Sequence, residues 1–338
     1  MAFFERNDIA VDLGTVNTVV RNTLDKVIFC EATCIALEEQ YESPRVICMG
    51  NQAKKMLGRN PSNIKVVNPL LHGAVSDFKT TTIFMNAIIE SAKKGSLAPR
   101  IGISIPQNLT QVERHSLHEA AMLAGAKEVL LIEDPFSASV GAGLDISAAR
   151  VRMVIDVGGG LVETSIISLG GLITSSFTKE AGDFIDYALV EYCRYNKNIG
   201  ISKEMAESIK RQINVFGDNP IINIAVKDLV NGMPISYELN LNELRGIVLN
   251  GIYKIKEVVL DSINKAPPQI APDLIEDGAI LTGGMALIDG LKEFLEEELK
   301  IKINLSPNPL LDISKGVCKI MQNYEKYSIE WGGGLMSS

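Results

Sequence analysis

A chain of 338 residues with 46% apolar and 22% charged side chains is ordinary globular material, long enough to bury about three quarters of the surface its unfolded form exposes. A net charge of −8 argues against a nucleic-acid partner, and no apolar run approaches the ~20 residues that span a bilayer. The five cysteines (Cys30, Cys34, Cys48, Cys193, Cys318) hold no C-x-x-C pair and the opening MAFFERNDIAVD lacks a secretory apolar region, which reads as a reduced, cytoplasmic protein.

In chain order, IAVDLGTVNTVV (9–20) predicts a strand ending in Asp, a glycine turn and a second β-branched strand. KVIFCEAT (26–33) predicts a third strand, followed by a small insertion over 34–64. RIGISIP (100–106) and KEVLLIED (127–134) are further strands; between them lies a helix over 110–126, opened by a Thr110/Glu113 capping box. The same series then recurs. MVIDVGGGLVETSIIS (153–168) repeats the strand, glycine turn and strand, LITSSFT (172–178) follows, and AILTGG (279–284) and KIKINLS (300–306) flank a helix over 286–299. A larger insertion, 183–264, reads as mainly helical. One stripe runs Ile201, Met205, Ile209, Ile213; another runs Leu244, Ile247, Val248, Ile252, Ile255, Val259, behind Asn242 as N-cap and before Pro267-Pro268. A three-strand meander followed by strand, helix, strand, found twice, predicts a duplicated α/β domain.

Three glycine turns follow apolar strands: Asp12-Leu13-Gly14-Thr15, Asp156-Val157-Gly158-Gly159-Gly160 and Thr282-Gly283-Gly284. No G-x-x-x-x-G-K-[ST] is present, which excludes a P-loop. Turns of this type expose successive backbone N–H groups to anionic oxygens, and two of them can clamp a polyphosphate. An Asp at the end of each strand suits hydrated Mg2+, which takes water plus one or two carboxylates. One such hairpin alone is an ordinary turn; the pair at matching positions is what points to phosphate.

These residues resemble the actin/Hsp70/sugar-kinase ATPase superfamily and, within it, the MreB family of bacterial actins. The resemblance rests on IAVDLGTVNTVV, GNQAKKMLGRNPSNI (50–64), HGAVSDF (72–78), the long stretch 99–144, VIDVGGGLVETSIISLGG, AGDFIDYAL and AILTGGMALIDGL. It implies an actin-like α/β fold of two duplicated ribonuclease H-like domains around a nucleotide cleft. Domain I would be 1–143 plus 312–338, with a small subdomain at about 31–65; domain II would be 144–311, with one at about 179–255. It implies ATP and Mg2+ as ligands, a weak ATPase activity and assembly of the chain with itself into filaments, as paired protofilaments. It places Gly14, Thr15, Val16 and Asn17 in a first phosphate loop and Gly158, Gly159, Gly160 and Leu161 in a second. Asp12 and Asp156 would hold the metal through water, with Asp156, Glu133 and Asp134 as the catalytic set. Gly182, Asp183, Glu207, Lys210, Gly283, Gly284 and Met285 would border the adenosine. By spacing alone, Glu207 and Lys210 read as a solvated surface pair.

The family's usual Glu before Pro is Asp134 here, and its usual Thr after the glycine turn is Leu161. Both departures fall on the side chains that set the attacking water in the family, which implies slow hydrolysis and a specialised paralogue of the Spiroplasma type. Met285 and Ala181 stand where the family has glycine. Other candidates carry less. His115 and His118 with Glu119 read as a helix surface rather than a metal face. Met1, Phe3 and Phe4, and the turn Lys93–Ala98 with Leu97, offer weak membrane contact against the plain reading of a buried strand and an ordinary loop. Trp331 lies beside three glycines in a tail without evident chemistry. A small-metabolite kinase or an Hsp70-like ATPase domain is the alternative; the first would need an acceptor pocket and base that no segment supplies, the second a β-rich substrate domain.

Overall fold

In the computed structural model, which describes residues 8–22, 24–39, 44–92, 97–324 and 327, the sequence repeat becomes two five-stranded sheets of the same order. Met1, Phe3, Phe4, Lys93 to Ser96 and Trp331 lie outside the described residues. The chain parts into two compact units: Met1–Arg150, Ser168–Gly171 and Leu310–Ser338 form unit 1, and Val151–Ile167 with Leu172–Pro309 form unit 2.

In unit 1 the strands Val27–Ala32, Asn17–Asn22 and Ile9–Leu13 run antiparallel in sequence; Arg100–Ile105 and Glu128–Glu133 then add in parallel. The parallel strands need crossovers, and the helix Gln111–Leu123 supplies one. Thr110 and Glu113 close its capping box as expected. Asp77 accepts from Thr80 N–H at 2.6 Å and opens a second helix, Phe78–Ala92. Phe84, Met85, Ile88 and Ile89 of that helix pack on Ile9, Val11, Ile101 and Ile103, all at most 1% exposed. Full burial of one such side chain is worth about 1.5–3 kcal/mol. The insertion after the third strand is a three-stranded sheet (Ile35–Glu38, Arg45–Met49, Ile64–Val67) with the short helix Asn51–Met56.

Unit 2 repeats the sheet with Gly171–Thr178, Val162–Ser168, Arg152–Val157, Ala279–Thr282 and Ile303–Leu305. Its core joins Ile155, Val157, Val162 and Ile166 to Ile185, Leu189, Val248, Ile252, Leu291 and Leu295.

The insertion over 183–264 is mainly helical, as expected, with the helices Gly182–Asn196, Lys203–Lys210 and Arg245–Lys265. It also holds strands that the sequence reading did not foresee: Ile221 to Lys227 pairs with Pro234–Asn240, and Ile199–Gly200 joins them. IINIAVKD alternates at period two, with its odd side chains exposed, which is a strand pattern. One expectation needs correction: Asn242 is not the N-cap of the long helix. Asn240 caps a 3-10 turn, Leu241–Leu244, which leads into the helix Arg245–Lys265. Asn242 instead accepts from the Asn219 N–H at 3.1 Å.

Candidate functional site

Each unit carries one glycine turn where its first strand hands over to its second. In unit 1, Gly14 N–H donates to Asn17 O at 3.1 Å; in unit 2, Gly158 N–H donates to Leu161 O at 2.9 Å. A Cβ on Gly14 would sit 2.7 Å from Asn17 O, and one on Gly158 would sit 2.8 Å from Leu161 O. Both turns therefore close only around glycine.

Thr33, buried just past the third strand, fixes the unit 1 turn. Its hydroxyl donates to Gly14 O at 2.6 Å, its N–H donates to Val16 O at 2.9 Å, and its Oγ1 lies 2.8 Å from Thr18 Oγ1. Two carbonyls of the turn are thus spent on one residue. Thr15 Oγ1 accepts from the Gly73 N–H at 2.9 Å, which ties the turn to the Leu70–Val75 hairpin. Among the described residues, the N–H groups of Thr15 and Val16 have no hydrogen-bond partner, and neither has that of Gly159 in the second turn. Unspent donors on closely spaced peptides are what an anion nest needs.

Asp12 ends the first strand with its carboxylate 3.5 Å from Ser104 Oγ on the adjacent parallel strand. Ser104 pairs with Ile132, one residue before Glu133. The candidate residues of unit 1 therefore sit at the carboxyl ends of parallel strands, where ligands bind in open α/β sheets. Glu133 and Asp134 part company there. Arg114 takes the Glu133 carboxylate at 2.9 Å and also donates to Leu109 O at 3.2 Å and Gln107 O at 3.0 Å. Asp134 begins the helix Asp134–Ala142, with Glu133 as N-cap.

The unit 2 residues converge. Gly182 N–H reaches Gly158 O at 3.3 Å and Asp183 N–H reaches Gly159 O at 2.7 Å, so the helix Gly182–Asn196 begins against the glycine turn. A Cβ on Gly182 would meet Met285 Sδ at 3.0 Å, Gly159 Cα at 3.2 Å and Lys210 Nζ at 3.2 Å. Gly283 holds φ +87°, and a Cβ there would press on Asp156 Oδ1 and lie 2.5 Å from Val157 O. Asp156, Gly158, Gly159, Gly182, Asp183, Lys210, Gly283 and Met285 are thus one neighbourhood. Asp183 also pairs with Lys203 at 3.0 Å.

Glu207 and Lys210 are not the solvated pair that spacing suggests. Lys210 is 5% exposed and pairs with Asp186 at 2.7 Å, while Glu207 pairs with Arg211 at 2.6 Å. Glu207 and Lys210 lie on the helix Lys203–Lys210, where Arg211 is the exposed C-cap and Lys210 turns inward. Burial pushes the Asp186 carboxyl up to about 6, against the opposing pull of Lys210. Asp186, Thr33 and Arg114 were not singled out by sequence reasoning. Thr33 and Arg114 carry no motif of their own, and Asp186 looks like any polar helix position until Lys210 is placed beside it.

Among the described residues no helix is long and apolar enough to cross a membrane. The sequence profile of the MreB/Mbl protein family matches residues 6–329. The cell shape-determining protein MreB of Escherichia coli K12 is 35% identical, with 98% of this chain and 96% of that protein covered. The cell shape-determining protein Mbl of Bacillus subtilis is 34% identical over 94% of this chain and 97% of its own length. Among solved structures, MreB5 of Spiroplasma citri bound to AMPPNP superposes with a TM-score of 0.88 at 27% identity, covering 97% of this chain and 99% of that one. A MamK double helical filament shares the fold, with a TM-score of 0.79 at 18% identity and coverage of 94% and 99%. The duplicated sheets are therefore an actin-like fold, and the chain belongs to the MreB/Mbl family of bacterial actin homologues.

Proposed function

We propose that this chain binds ATP with Mg2+, polymerises with itself into cytoskeletal filaments that serve cell shape or motility in the cytoplasm, and hydrolyses the ATP slowly. The observation that carries the reading is the matched pair of glycine turns, each closed by the same N–H to carbonyl bond and each filled by any added Cβ. The Spiroplasma citri relative bound to AMPPNP and to ADP supports a nucleotide as the ligand. The cell shape-determining names of the curated relatives support the cytoskeletal role, with paired protofilaments following from kinship.

Gly14, Thr15, Val16 and Asn17 bind phosphate oxygens through backbone N–H groups, as do Gly158, Gly159, Gly160 and Leu161. Gly182, Asp183, Glu207, Lys210, Gly283, Gly284 and Met285 line the adenosine side. Asp12 and Asp156 fit a hydrated Mg2+, since each is a carboxylate near the end of its unit's first strand and hard oxygen ligands are what that ion takes. When bound, Mg2+ offsets phosphate charge in the transition state. Asp134 and Asp156 are assigned to the attacking water. Glu133, the third residue of the catalytic set, has its carboxylate held in place by Arg114.

The test is assembly. Purified chain should scatter light and show filaments by electron microscopy on addition of ATP and Mg2+, and Gly158→Val should abolish both nucleotide binding and assembly. A chain that binds ATP but stays monomeric at every concentration would sink the filament reading. Peripheral membrane contact has one support among the described residues, Leu97 at 63% exposed. Burying a Leu in a bilayer surface is worth on the order of 2 kcal/mol. Leu97→Asp is therefore expected to lower liposome co-sedimentation severalfold, and equal sedimentation of both proteins would discard the contact.

A further inference from the structure

Among the described residues, the most deeply buried ion pair joins Asp186 to Lys210, with side chains 3% and 7% exposed and Oδ1 2.7 Å from Nζ. A buried pair is a poor source of stability, because the desolvation of both charges offsets their attraction. Its placement is the telling feature. Lys210 Nζ also donates to Gly182 O at 3.0 Å, and it borders the same small space as Met285 Sδ and Gly159 Cα, next to the glycine turn. An ammonium carries three N–H donors. Gly182 O accepts one and the Asp186 carboxylate holds the ammonium as an ion pair, and among the described residues no further acceptor takes a hydrogen bond from it. A long, flexible side chain has been fixed with one donor to spare.

We propose that Asp186 is a positioning residue for nucleotide recognition: with the Gly182 carbonyl, it holds the Lys210 ammonium so that the remaining N–H is presented to an acceptor on the adenosine part of the nucleotide. This rests on the ATP reading above and assigns Asp186 no contact with the nucleotide itself. Lys210 and Glu207 act on Asp186 from the neighbouring helix, and Asp183 acts on it from its own. Burial is the largest influence and raises the carboxyl from its ordinary 3.8 to about 6; Asp183 and Glu207 push the same way, and Lys210 opposes them. As pH falls through that value Asp186 takes up a proton, and Lys210 loses its charged anchor.

The experiment compares two probes, ATP and inorganic triphosphate, each with Mg2+, by calorimetric titration of the full chain. Both probes have terminal phosphates that titrate alike, so their ratio isolates the adenosine side. Asp186→Asn should weaken ATP about tenfold, the scale of one hydrogen bond to a charged group, and leave triphosphate unchanged. On a Lys210→Met background the same substitution should cost nothing further, because the residue it positions is gone. In the native chain the ATP-to-triphosphate affinity ratio should drop as pH is lowered from about 7.5 to about 5, and in Asp186→Asn it should not. Equal losses for both probes, or an additional loss on the Lys210→Met background, would mark Asp186 as merely structural and overturn the proposal. Should Asp186→Asn alone fail to fold, the double variant, which buries no charge, and the native pH profile decide the matter. A native chain that does not bind ATP overturns the ATP reading together with this inference; ATP binding indifferent to Asp186 overturns the inference alone.

Discussion

Replacing Gly316 with alanine is expected to destabilise unit 1 by about 2–4 kcal/mol, because the new methyl would have nowhere to go. Gly316 lies in the helix Asp312–Gln322, and a Cβ there would fall on the Ser137 carbonyl, well inside van der Waals contact. The crossing is reciprocal: a Cβ on Gly141, in the helix Asp134–Ala142, would fall on the Asp312 carbonyl. Backbone on both sides means no rotamer change relieves the overlap, so the helices must separate. The same helix lies over the sheet at Gly102, where Met321 and Val317 leave no room for a side chain. Alanine gains about 1 kcal/mol over glycine inside a helix, which offsets only part of the loss. Gly246 supplies the control. It is also helical, in Arg245–Lys265, but a Cβ there meets nothing within 4 Å. Gly246→Ala should therefore stabilise by a few tenths to about 1 kcal/mol. Thermal unfolding of the two variants is the measurement, and equal behaviour would refute the packing account. Gly316→Ala should also slow whatever chemistry Asp134 serves, since Asp134 begins the helix that has to move.

That tight crossing also shows where the sequence is readable and where it is not. The ten sheet strands announce themselves because each is an apolar run ended by a turn residue, and the repeat of D-x-G at matching places gives away the duplication. Of the two glycine-crossed helices, the first gives no such signal. In Asp134–Ala142, residues Pro135 to Gly141 are all buried, so no polar face alternates with an apolar one and the 3.6-residue period vanishes. Ile221–Asp228 was obscured differently. It lies within an insertion whose other segments carry strong helical stripes, and its own alternation is short. At the site, Gly14, Gly158 and Gly283 were legible because a backbone need dictates the residue type. Lys210 was not. Its inward turn is set by Asp186, a residue some two dozen positions away, and no local pattern encodes a partner at that distance. Thr33 and Arg114 are of the same kind, each acting through carbonyls or a carboxylate supplied by other elements.

The largest functional effect should come from placing the Glu and Thr that the proposed hydrolytic reading expects at positions 134 and 161. The double variant Asp134→Glu with Leu161→Thr is expected to raise the rate of phosphate release by on the order of 10²-fold or more. Asp134 is one methylene shorter than Glu, and a displacement of about 1 Å at a water-orienting group can cost on the order of 10²-fold. Leu161 offers no hydrogen bond from its side chain, and one missing preorganised polar contact costs about 3 kcal/mol in the transition state. Neither substitution touches the binding contacts. The turn at 158–161 is closed by the Leu161 carbonyl, which threonine keeps, and Asp134 is held by its place at the start of a helix rather than by the phosphate loop. Affinity for ATP should accordingly change less than about threefold while the rate rises, a separation that marks an interaction made only in the transition state. Glu133 keeps its ion pair with Arg114 in the double variant, so Arg114 needs no change for the effect to appear. Filaments of the double variant should turn over faster, seen as an earlier loss of light scattering after a fixed amount of ATP. Phosphate release measured in single turnover separates the two steps. A native rate already as fast as that of the double variant would mean that Asp134 and Leu161 do not limit the chemistry.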